Sequence, residues 1–289
     1  MGRVPVLVSP EAGRGRAESA VAAILDTIRA AGLEPVDITG RDAAASLAAA
    51  RAEVAEGVER LIVVGGDGQV HLGTQAVAET STVLGVVPVG TGNDFARAFP
   101  DMLGTSPIAA TRRALGPARA IDAIRTGHGW VASVATLGFS GDVNARANRL
   151  RFPRGPRRYT VATLLEIPRL KRHRVRLTVD NRVHDVEATL IAIANTGFFG
   201  GGMEICPAAR PDDGRLEILV VGPIGRLALL RWFPQVFAGT HLRHEAATAF
   251  AGSSVTVDAE PVELWGDGEP LGPAPTTFTA VPGALRLAG

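Results

Sequence analysis

The chain has few of the residues that most often carry covalent chemistry or compact positive charge. Cys206 is the only cysteine among 289 residues, so no internal disulfide can form, which fits a reducing cytoplasm. We expect its thiol to be a small buried hydrophobic group. Lys171 is the only lysine, which excludes a phosphate loop of the Walker type, because that loop needs a lysine in the first turn.

Long apolar runs and a large charge excess are also missing from the sequence. The formal net charge is +1, which gives no reason to expect a nucleic-acid partner. No uninterrupted apolar run approaches the roughly 20 residues that span a bilayer. The first apolar stretch is too short for a signal peptide, and Val6 stands where a myristoylation signal has Ser or Thr. We therefore expect a cytoplasmic protein that contacts membranes at most peripherally.

Two glycine-rich turns are the most informative feature that is present. An apolar run at residues 61–64 leads into GGDG at residues 65–68, and another at residues 83–87 precedes GTG at residues 90–92. Glycines at the end of a strand let backbone N–H groups approach an anion closely, and a following helix adds its positive end. Two such turns predict that one polyphosphate is held between adjacent strand ends.

The first part of the chain alternates between apolar, strand-like runs and helical segments. The expected strands are residues 4–8, 35–38, 60–64 and 83–87, and the expected helices are residues 17–31, 43–55 and 70–78. Strands separated by helices indicate a parallel sheet that is covered on both faces. Such sheets bind ligands at the carboxyl ends of their strands, where residues 9–13 and both glycine turns fall.

After about residue 116, strand-like runs separated by turn residues dominate. The expected strands are residues 120–125, 130–137, 175–179, 188–194, 215–221, 254–258, 262–265 and 276–280, with helices at residues 142–150, 157–170 and 226–236. This pattern favours an antiparallel β-sandwich. We therefore predict an N-terminal α/β nucleotide-binding domain with a parallel sheet, residues 1–118, and a C-terminal antiparallel β-sandwich domain for the lipid substrate, residues 119–289. The final strand is expected to return towards the first domain.

Several sequence blocks, in a consistent order, carry a family resemblance. They are SPEAG at residues 9–13, GGDG at residues 65–68, PVGTGNDFARAF at residues 88–99, NTG at residues 195–197, DDGRL at residues 212–216 and DGE at residues 267–269. Together they resemble the catalytic domain of diacylglycerol kinases and their relatives, the sphingosine, ceramide and bacterial lipid kinases. The resemblance implies an ATP-dependent enzyme that transfers the γ-phosphoryl group to a hydroxyl of diacylglycerol or a related lipid.

The resemblance also implies which residues bind ATP and Mg²⁺. Residues 9–13 stand where the family has an Asn-Pro-x-Ser-Gly nucleotide loop. Thr39 follows the second strand at another nucleotide contact, with a plain turn residue as the alternative. Asp67 is expected to hold Mg²⁺ through water, or else to stabilise its own turn. The expected nucleotide-binding residues are Ser9, Pro10, Glu11, Ala12, Gly13, Thr39, Gly66, Asp67, Gly68, Gln69 and Thr91.

Acidic residues are the candidates for the catalytic and metal-binding roles. Glu269 is our candidate general base, because a carboxylate at a tight Gly-Asp-Gly turn can accept the proton of a substrate hydroxyl during phosphoryl transfer. Besides Asp67, the resemblance places Asp122 near the nucleotide. It also implies a structural Mg²⁺ site made by the Asp213 carboxylate and the backbone carbonyls of Arg210 and Arg215. A plain hairpin turn is the alternative there.

The chain departs from the family beside the GGDG motif. Gln69 and Leu72 replace a threonine and a glutamate of the common pattern. Gln69 can still donate a hydrogen bond to phosphate, whereas Leu72 cannot replace a carboxylate. A non-catalytic lipid-binding protein on a kinase scaffold therefore stays open, as does an NAD kinase-like phosphotransferase, which shares the GGDG turn.

A basic stretch adds an expectation about partners. Between Arg146 and Arg176 the chain has eleven Arg or Lys residues and one acidic residue, Glu166. Apolar residues among them make amphipathic helices plausible, and a basic surface with an apolar face suits transient contact with an anionic membrane. A solvated charged face is the alternative. The expected partners are thus the lipid substrate and the membrane surface, and the resemblance adds a homodimer.

Overall fold

A computed structural model describes residues 2–9, 16–150, 152, 157–260 and 262–289. The chain divides into two compact units. The first contains residues 1–123 and 282–289, and the second contains residues 124–281. These units are defined by contacts within the folded chain and not by independent folding. The domain boundary expected after residue 118 therefore stays a prediction.

The first unit alternates strands and helices along the chain. They are β1 (Gly2–Val8), α1 (Arg16–Ala30), β2 (Leu33–Asp37), α2 (Ala43–Ala55), β3 (Arg60–Gly65), α3 (Asp67–Val77), β4 (Val83–Pro88), α4 (Asp94–Arg97) and α5 (Pro107–Ala114). Strands β2, β1, β3 and β4 lie side by side in this order and pair in parallel. Arg286 and Leu287, near the end of the chain, add a parallel partner beside β4.

Helices cover both faces of this parallel sheet. On one face, Val6, Ile62 and Val87 share a core cluster with Ile24 of α1 and Ala110 of α5. On the other face, α3 lies so close that a Cβ on Gly73 would be 2.7 Å from Leu84 Cδ1 and 2.9 Å from Val63 Cγ1. Strands buried on both faces need apolar side chains in both directions, which explains their continuous apolar runs. The predicted α/β arrangement is confirmed.

The remaining elements belong to the second unit, except that β5 begins in the first unit and β18 ends there. They are β5 (Ala118–Thr126), β6 (Gly129–Val131), β7 (Val134–Gly138), α6 (Phe139–Arg149), α7 (Arg157–Glu166), β8 (His173–Val179), β9 (Arg182–Ala188), β10 (Leu190–Ala194), β11 (Phe198–Phe199), β12 (Met203–Glu204), β13 (Leu216–Val221), α8 (Arg226–Phe237), β14 (Ala247–Gly252), β15 (Ser254–Ala259), β16 (Glu263–Gly266), β17 (Glu269–Pro273) and β18 (Thr276–Ala288).

Two antiparallel sheets pack face to face in the second unit, and helices cover one of them. One sheet has the order β14-β13-β10-β7-β16-β17, and the other includes β18, β15, β8 and β9. Along β10, Ile191 and Ile193 point into the core between the sheets. Leu190, Ala192 and Ala194 point into a second core beneath α6, α7 and α8. Side chains that alternate between two cores are expected for a β-strand that is covered on both faces. The predicted antiparallel sandwich is confirmed, and the helices form an additional layer on one of its sheets.

The strands missed by sequence analysis lie at sheet edges. Strands β9, β14 and β17 each end a row of strands, and most of their residues are exposed or half-buried. Edge strands need few apolar residues, so their sequences lack the usual signal. Two expected strands were also too long: residues 130–137 break at Ala132 and Ser133 into β6 and β7, and residues 188–194 break at Thr189.

Two expectations about burial and membranes can be compared with the fold. Cys206 is 5% exposed and belongs to the core under the helices, where burial raises the pKa of its thiol far above the ordinary value. The prediction of a small buried hydrophobic group is confirmed. Within the ranges that the structure describes, no helix is long and apolar enough to cross a membrane.

Candidate active site

The first glycine turn joins β3 to the amino end of α3. The helix begins at Asp67, with Gly66 at its N-cap, so the expected start at Val70 is wrong by three residues. The difference arises because backbone N–H groups in the first turn of a helix need no partner within it, and Gly68 is tolerated there. Asp67 is the acidic residue of that first turn, where the helix dipole favours negative charge.

The second glycine turn lies directly against the first. Strands β3 and β4 align Gly65 with Pro88, and the Gly65 carbonyl accepts hydrogen bonds from the N–H groups of Val89 (3.0 Å) and Gly90 (3.2 Å). A Cβ on Gly90 would lie 2.4 Å from the Cα of Gly66. The two turns can approach this closely because Gly90 has no side chain, whereas a Cβ on Gly66 would lie 3.3 Å from the Gly90 Cα.

Two buried amide oxygens at this junction have no hydrogen-bond partner among the described residues. They are Gln69 Oε1 and Asn93 Oδ1. The amide nitrogen of Asn93 donates to the Gly90 carbonyl at 2.8 Å. Oxygen and nitrogen of an amide can exchange places by a flip, so Gln69 can present either a donor or an acceptor to a ligand. Unsatisfied buried polar atoms of this kind point to a ligand site.

Asp67, the first residue of α3, bridges the two glycine turns. Its carboxylate accepts a hydrogen bond from the Phe95 N–H at 3.1 Å, beside the buried Asp94. Asn93 occupies the N-cap of the short helix α4 in the left-handed region, and its side chain makes no capping hydrogen bond. Its side chain holds the glycine turn instead.

Arg97, which no sequence motif singled out, places a cation at the second turn. The guanidinium of Arg97 donates to the Gly92 carbonyl at 3.2 Å and lies 3.7 Å from the Asp94 carboxylate. The spacing of three residues on a helix would have paired Arg97 with Asp94. Only the short helix α4 brings this positive charge back to the turn that contains the exposed Thr91.

The end of β1 is tied to the first glycine turn and to Thr39. Ser9 donates its N–H to the Val64 carbonyl at 2.8 Å, and its side chain lies beside Gly65. The hydroxyl of Thr39 accepts from the Val8 N–H at 2.8 Å, so it supports the strand that leads into the nucleotide loop. Four members of that loop lie outside the described residues: Pro10, Glu11, Ala12 and Gly13.

Asp122 has its described partner in the last strand. Its carboxylate is 3% exposed and accepts from the Gly283 N–H at 2.9 Å. Gly283 precedes the aligned pair of Arg286 and Val83, so it lies towards the amino end of β4, whereas the glycine turn comes after the carboxyl end. The expected role of Asp122 near the nucleotide stays a prediction and gains no support from this contact.

Glu269 stands immediately after a two-residue hairpin turn in the second unit. The turn consists of Asp267 and Gly268, between β16 and β17, and both have positive φ angles, of 54° and 87°. These angles define a type I′ turn, which the Asp-Gly sequence favours. The Glu269 side chain is exposed. The predicted turn between two strands is therefore present.

The segment expected to hold a structural Mg²⁺ forms a local turn. The carboxylate of Asp213 accepts the N–H of Arg215 at 2.9 Å, and Asp213, Arg210 and Arg215 are exposed. Burial, reinforced by the charge of Asp213, raises the pKa of the neighbouring Glu217. No group of three metal-binding side chains occurs among the described residues. The Mg²⁺ site stays a prediction with one available carboxylate.

An apolar pocket lies between the second sheet and its covering helices. It has about 560 Å³ of space outside protein atoms, including the part open to solvent. Helices α6, α7 and α8 and strands β10 and β13 contribute to its wall, and members of that wall include Phe139, Tyr159, Leu190, Met203, Trp232 and Val236. The Ser140 hydroxyl also lines the pocket and is buried without a partner among the described residues.

A buried histidine supports this wall from behind. His241 is fully buried, and its Nε2 lies 2.9 Å from the Ile205 carbonyl. Trp232 packs edge-on against the imidazole ring, with centroids 5.4 Å apart. Burial lowers the pKa of His241, although the Ile205 carbonyl and Glu204 act in the opposite direction. The ring is therefore neutral near pH 7 and donates to Ile205 from Nε2.

Glycine turns at the carboxyl ends of parallel strands, one of them followed by a helix N-terminus, are typical of proteins that bind phosphate groups. Residues 3–126 match the family described as the diacylglycerol kinase catalytic domain. Residues 132–289 match the family described as the YegS C-terminal NAD kinase beta sandwich-like domain. The chain belongs to the diacylglycerol kinase family, together with the YegS-like lipid kinases.

Individual relatives agree with this placement. A protein named diacylglycerol kinase from Mycobacterium tuberculosis is 36% identical over 293 residues, covering 99% of this chain and 95% of the relative. A Pseudomonas fluorescens protein named "Probable lipid kinase YegS-like" is 32% identical over 245 residues, covering 81% of this chain and 78% of the relative. A solved Bacillus anthracis structure described as a diacylglycerol kinase has a TM-score of 0.73 at 22% identity, over 99% of this chain and 96% of that chain. It supports the fold alone. The family, fold class and lipid-kinase class predicted from the sequence are confirmed.

Proposed function

We propose that this chain transfers the γ-phosphoryl group of ATP to a hydroxyl group of diacylglycerol or a related lipid. The observation that carries the proposal is the contact between the two glycine turns at Gly66 and Gly90. It leaves backbone N–H groups and the positive end of α3 accessible to an anion, as a polyphosphate requires. Relatives named diacylglycerol kinase support the same reaction.

The residues present fit a nucleotide polyphosphate. The Gln69 amide, whose Oε1 has no partner among the described residues, can flip and donate an N–H to a phosphate oxygen. The Asn93 Oδ1 remains available only as an acceptor, because its amide nitrogen donates to Gly90. No described residue lies within 4 Å of the position that a Cβ on Gly68 would take, so a ligand can approach its backbone. Asp67 would hold Mg²⁺ through water, and the ion would neutralise phosphate charge when bound. Arg97 supplies a further positive charge at the second turn.

Glu269 is proposed as the general base. As the lipid oxygen bonds to the γ-phosphorus and the bond to the β-phosphate oxygen breaks, the hydroxyl proton passes to the Glu269 carboxylate. An exposed carboxylate at the start of an edge strand is accessible to a substrate hydroxyl. We assign no step to Asp122, whose described contact is structural, nor to the segment around Asp213.

The apolar pocket of the second unit is proposed to take an acyl chain of the lipid. Its wall is mostly hydrophobic, with a few polar side chains such as Ser140 and Asn144, and a pocket of this kind suits a ligand with a long apolar tail. Ser140 is buried there with a hydroxyl that has no described partner. That hydroxyl can donate to an ester carbonyl at the head of the chain.

Transient membrane contact is proposed for the outer faces of α7 and α8. Leu164 of α7 and Leu227 and Leu230 of α8 are 48%, 73% and 45% exposed, and the same two helices line the apolar pocket. Part of the basic charge nearby is neutralised, since Arg146 pairs with the buried Glu166. The exposed leucines therefore support this proposal more strongly than the charge does. Nothing described supports the homodimer that the resemblance added, and it stays a prediction.

The test is transfer of ³²P from ATP into lipid by the purified chain. Mixed micelles would contain diacylglycerol or sphingosine, and a separate reaction would contain NAD⁺. We expect labelled lipid, and we expect Glu269→Gln to bind ATP normally while its turnover falls by about 10²–10⁴-fold. Glu263→Gln, at an exposed acid of the same hairpin, is the matched control. ATP binding without turnover by the unmodified chain would instead favour the non-catalytic alternative.

A further inference from the structure

The hairpin that precedes Glu269 is held to the neighbouring chain by the carboxylate of Asp267. One carboxylate oxygen accepts from the Ala132 N–H at 2.9 Å, and the other accepts from the Ser133 N–H at 2.8 Å. The N–H of Asp267 itself donates to the Val134 carbonyl at 3.1 Å. Hydrogen bonds to an ionised carboxylate are roughly twice as strong as those between neutral groups.

Residues 132–133, which donate hydrogen bonds to Asp267, also accept hydrogen bonds from residues 195–196. The Ser133 carbonyl accepts from the N–H groups of Asn195 (2.8 Å) and Thr196 (3.2 Å). The buried side chain of Asn195 donates to the Ala132 carbonyl at 2.9 Å. Residues 132–133, between β6 and β7, are therefore held in place by hydrogen bonds to Asn195 and Thr196. Asp267 connects the hairpin to this fixed segment.

A second turn of this unit, at Asp180, has the same arrangement of an aspartate carboxylate bonded to two consecutive backbone N–H groups. Asp180 and Asn181 form a two-residue turn between β8 and β9, with φ angles of 43° and 70°. The Asp180 carboxylate accepts from the N–H groups of Ser253 and Ser254, at 3.0 Å to each. Its own N–H donates to the Ser254 carbonyl at 3.1 Å. The Asp180 turn carries no residue of the candidate active site.

The two turns differ in the residues that come after them. Glu269 comes two residues after Asp267 and pairs with Gly266 across the hairpin. Its carboxylate has no hydrogen-bond or ion-pair partner in the described part of the chain, so no polar contact of the side chain orients it. The direction of Glu269 then depends on the backbone of the hairpin, and the main polar anchor of that backbone is Asp267.

We propose that Asp267 is a positioning residue, which holds Glu269 in the direction needed to accept the substrate proton. This inference rests on the proposed role of Glu269 as the base. A shift of about 1 Å in a reacting group can lower a rate by about 10²-fold. We call the hydrogen bonds from Ala132 and Ser133 to the Asp267 carboxylate the clamp. Loss of the clamp should therefore reduce kcat. The KM for ATP should not change, because the first unit binds ATP.

The test compares Asp267→Gly with Asp180→Gly, using Glu269→Gln as the reference. Glycine accepts the positive φ angles of both turns, so each variant loses its carboxylate hydrogen bonds without backbone strain. We expect both to lower Tm. Only Asp267→Gly should lower kcat, by about 10–10²-fold, with an unchanged KM for ATP. Asp267→Asn keeps one acceptor oxygen and tolerates the turn, and should recover part of the rate.

The double variant Asp267→Gly with Glu269→Gln separates a positioning role from an independent one. If Asp267 acts through Glu269, the double variant should be no slower than Glu269→Gln alone. Losses that multiply would overturn the inference, as would equal kcat values for Asp267→Gly and Asp180→Gly. Normal turnover by Glu269→Gln would refute the proposed base and the positioning role together. An inactive Glu269→Gln beside a fully active Asp267→Gly would refute the positioning role alone.

Discussion

Gly90→Ala should force the two glycine turns apart and impair catalysis while leaving the fold intact. The added Cβ would lie 2.4 Å from the Cα of Gly66 and 2.8 Å from Asn93 Oδ1, whereas ordinary van der Waals contact begins at 3.4 Å. The turns must therefore separate by about 1 Å, because the closest atom belongs to the backbone and cannot rotate away.

The size of the effect can be worked out from this displacement. Overpacking of this kind costs about 1–3 kcal/mol, which lowers Tm by about 2–4 °C per kcal/mol in a chain of this size. Moving phosphate-binding N–H groups by about 1 Å should reduce kcat/KM by about 10²-fold, which corresponds to about 2.7 kcal/mol of transition-state stabilisation. The KM for ATP should rise, and lipid affinity should stay unchanged.

Two other glycines serve as comparisons for this variant. No described residue lies within 4 Å of the position that a Cβ on Gly127 would take, and Gly127 lies outside the proposed site, so Gly127→Ala should behave as wild type. A Cβ on Gly68 would likewise have no described residue within 4 Å, and loss of ATP affinity in Gly68→Ala would therefore report on contact with the ligand. The assays are ³²P transfer to lipid, calorimetric ATP binding and thermal unfolding. If Gly90→Ala keeps kcat/KM within threefold of wild type, the phosphate site does not depend on the contact between the turns.

Three further predictions concern the second unit. Because the pKa of His241 is lowered in the folded state, the unfolded state takes up a proton first as the pH falls through 6.5, and wild-type stability should decline from pH 7.5 to 5.5. His241→Gln should flatten that decline in thermal unfolding, and an equal slope would show that another group is responsible. Val236→Phe should narrow the pocket and shift the preferred substrate to lipids with shorter acyl chains. Leu230→Phe, on the exposed side of the same helix, should leave the preference unchanged. If kinase activity against lipids of different chain length is the same in Val236→Phe and wild type, the acyl chain binds elsewhere. Leu227→Glu should weaken sedimentation with anionic vesicles, and a loss of equal size in the exposed control Val183→Glu would refute a specific membrane face.

Much of the fold could be predicted from local sequence because each central element carries its own signal. Strands β3 and β4 are continuous apolar runs that are buried on both faces, and helix α2 was predicted with the bounds observed. The edge strands β9, β14 and β17 could not be predicted, because exposed residues and a single covered face leave a weak pattern. Their pairing with a neighbour decides that they are strands.

The candidate site divides in the same way. Glycine and aspartate at residues 65–68 and 90–92, and the turn before Glu269, were visible as motifs because tight turns impose strict residue requirements. Motifs did not reveal the clamp formed by Asp267, whose partners at residues 132–133 are more than a hundred positions away in the chain. Nor did they show that Asp122 bonds to Gly283 in the last strand.

The sequence by itself determined the class of protein, the parallel and antiparallel halves, and the places where phosphate can meet bare backbone. The two halves and the phosphate-binding places depend on properties of neighbouring residues, namely apolar period, glycine and the turn-forming acids, whereas the class of protein came from the resemblance of the motifs to the diacylglycerol kinases. Only the tertiary structure decided that Gly66 touches Gly90, that helices enclose an apolar pocket beside Ser140, and that Asp267 anchors the hairpin of Glu269. Such contacts join residues that are distant in the chain, and their geometry is set by packing of the whole unit.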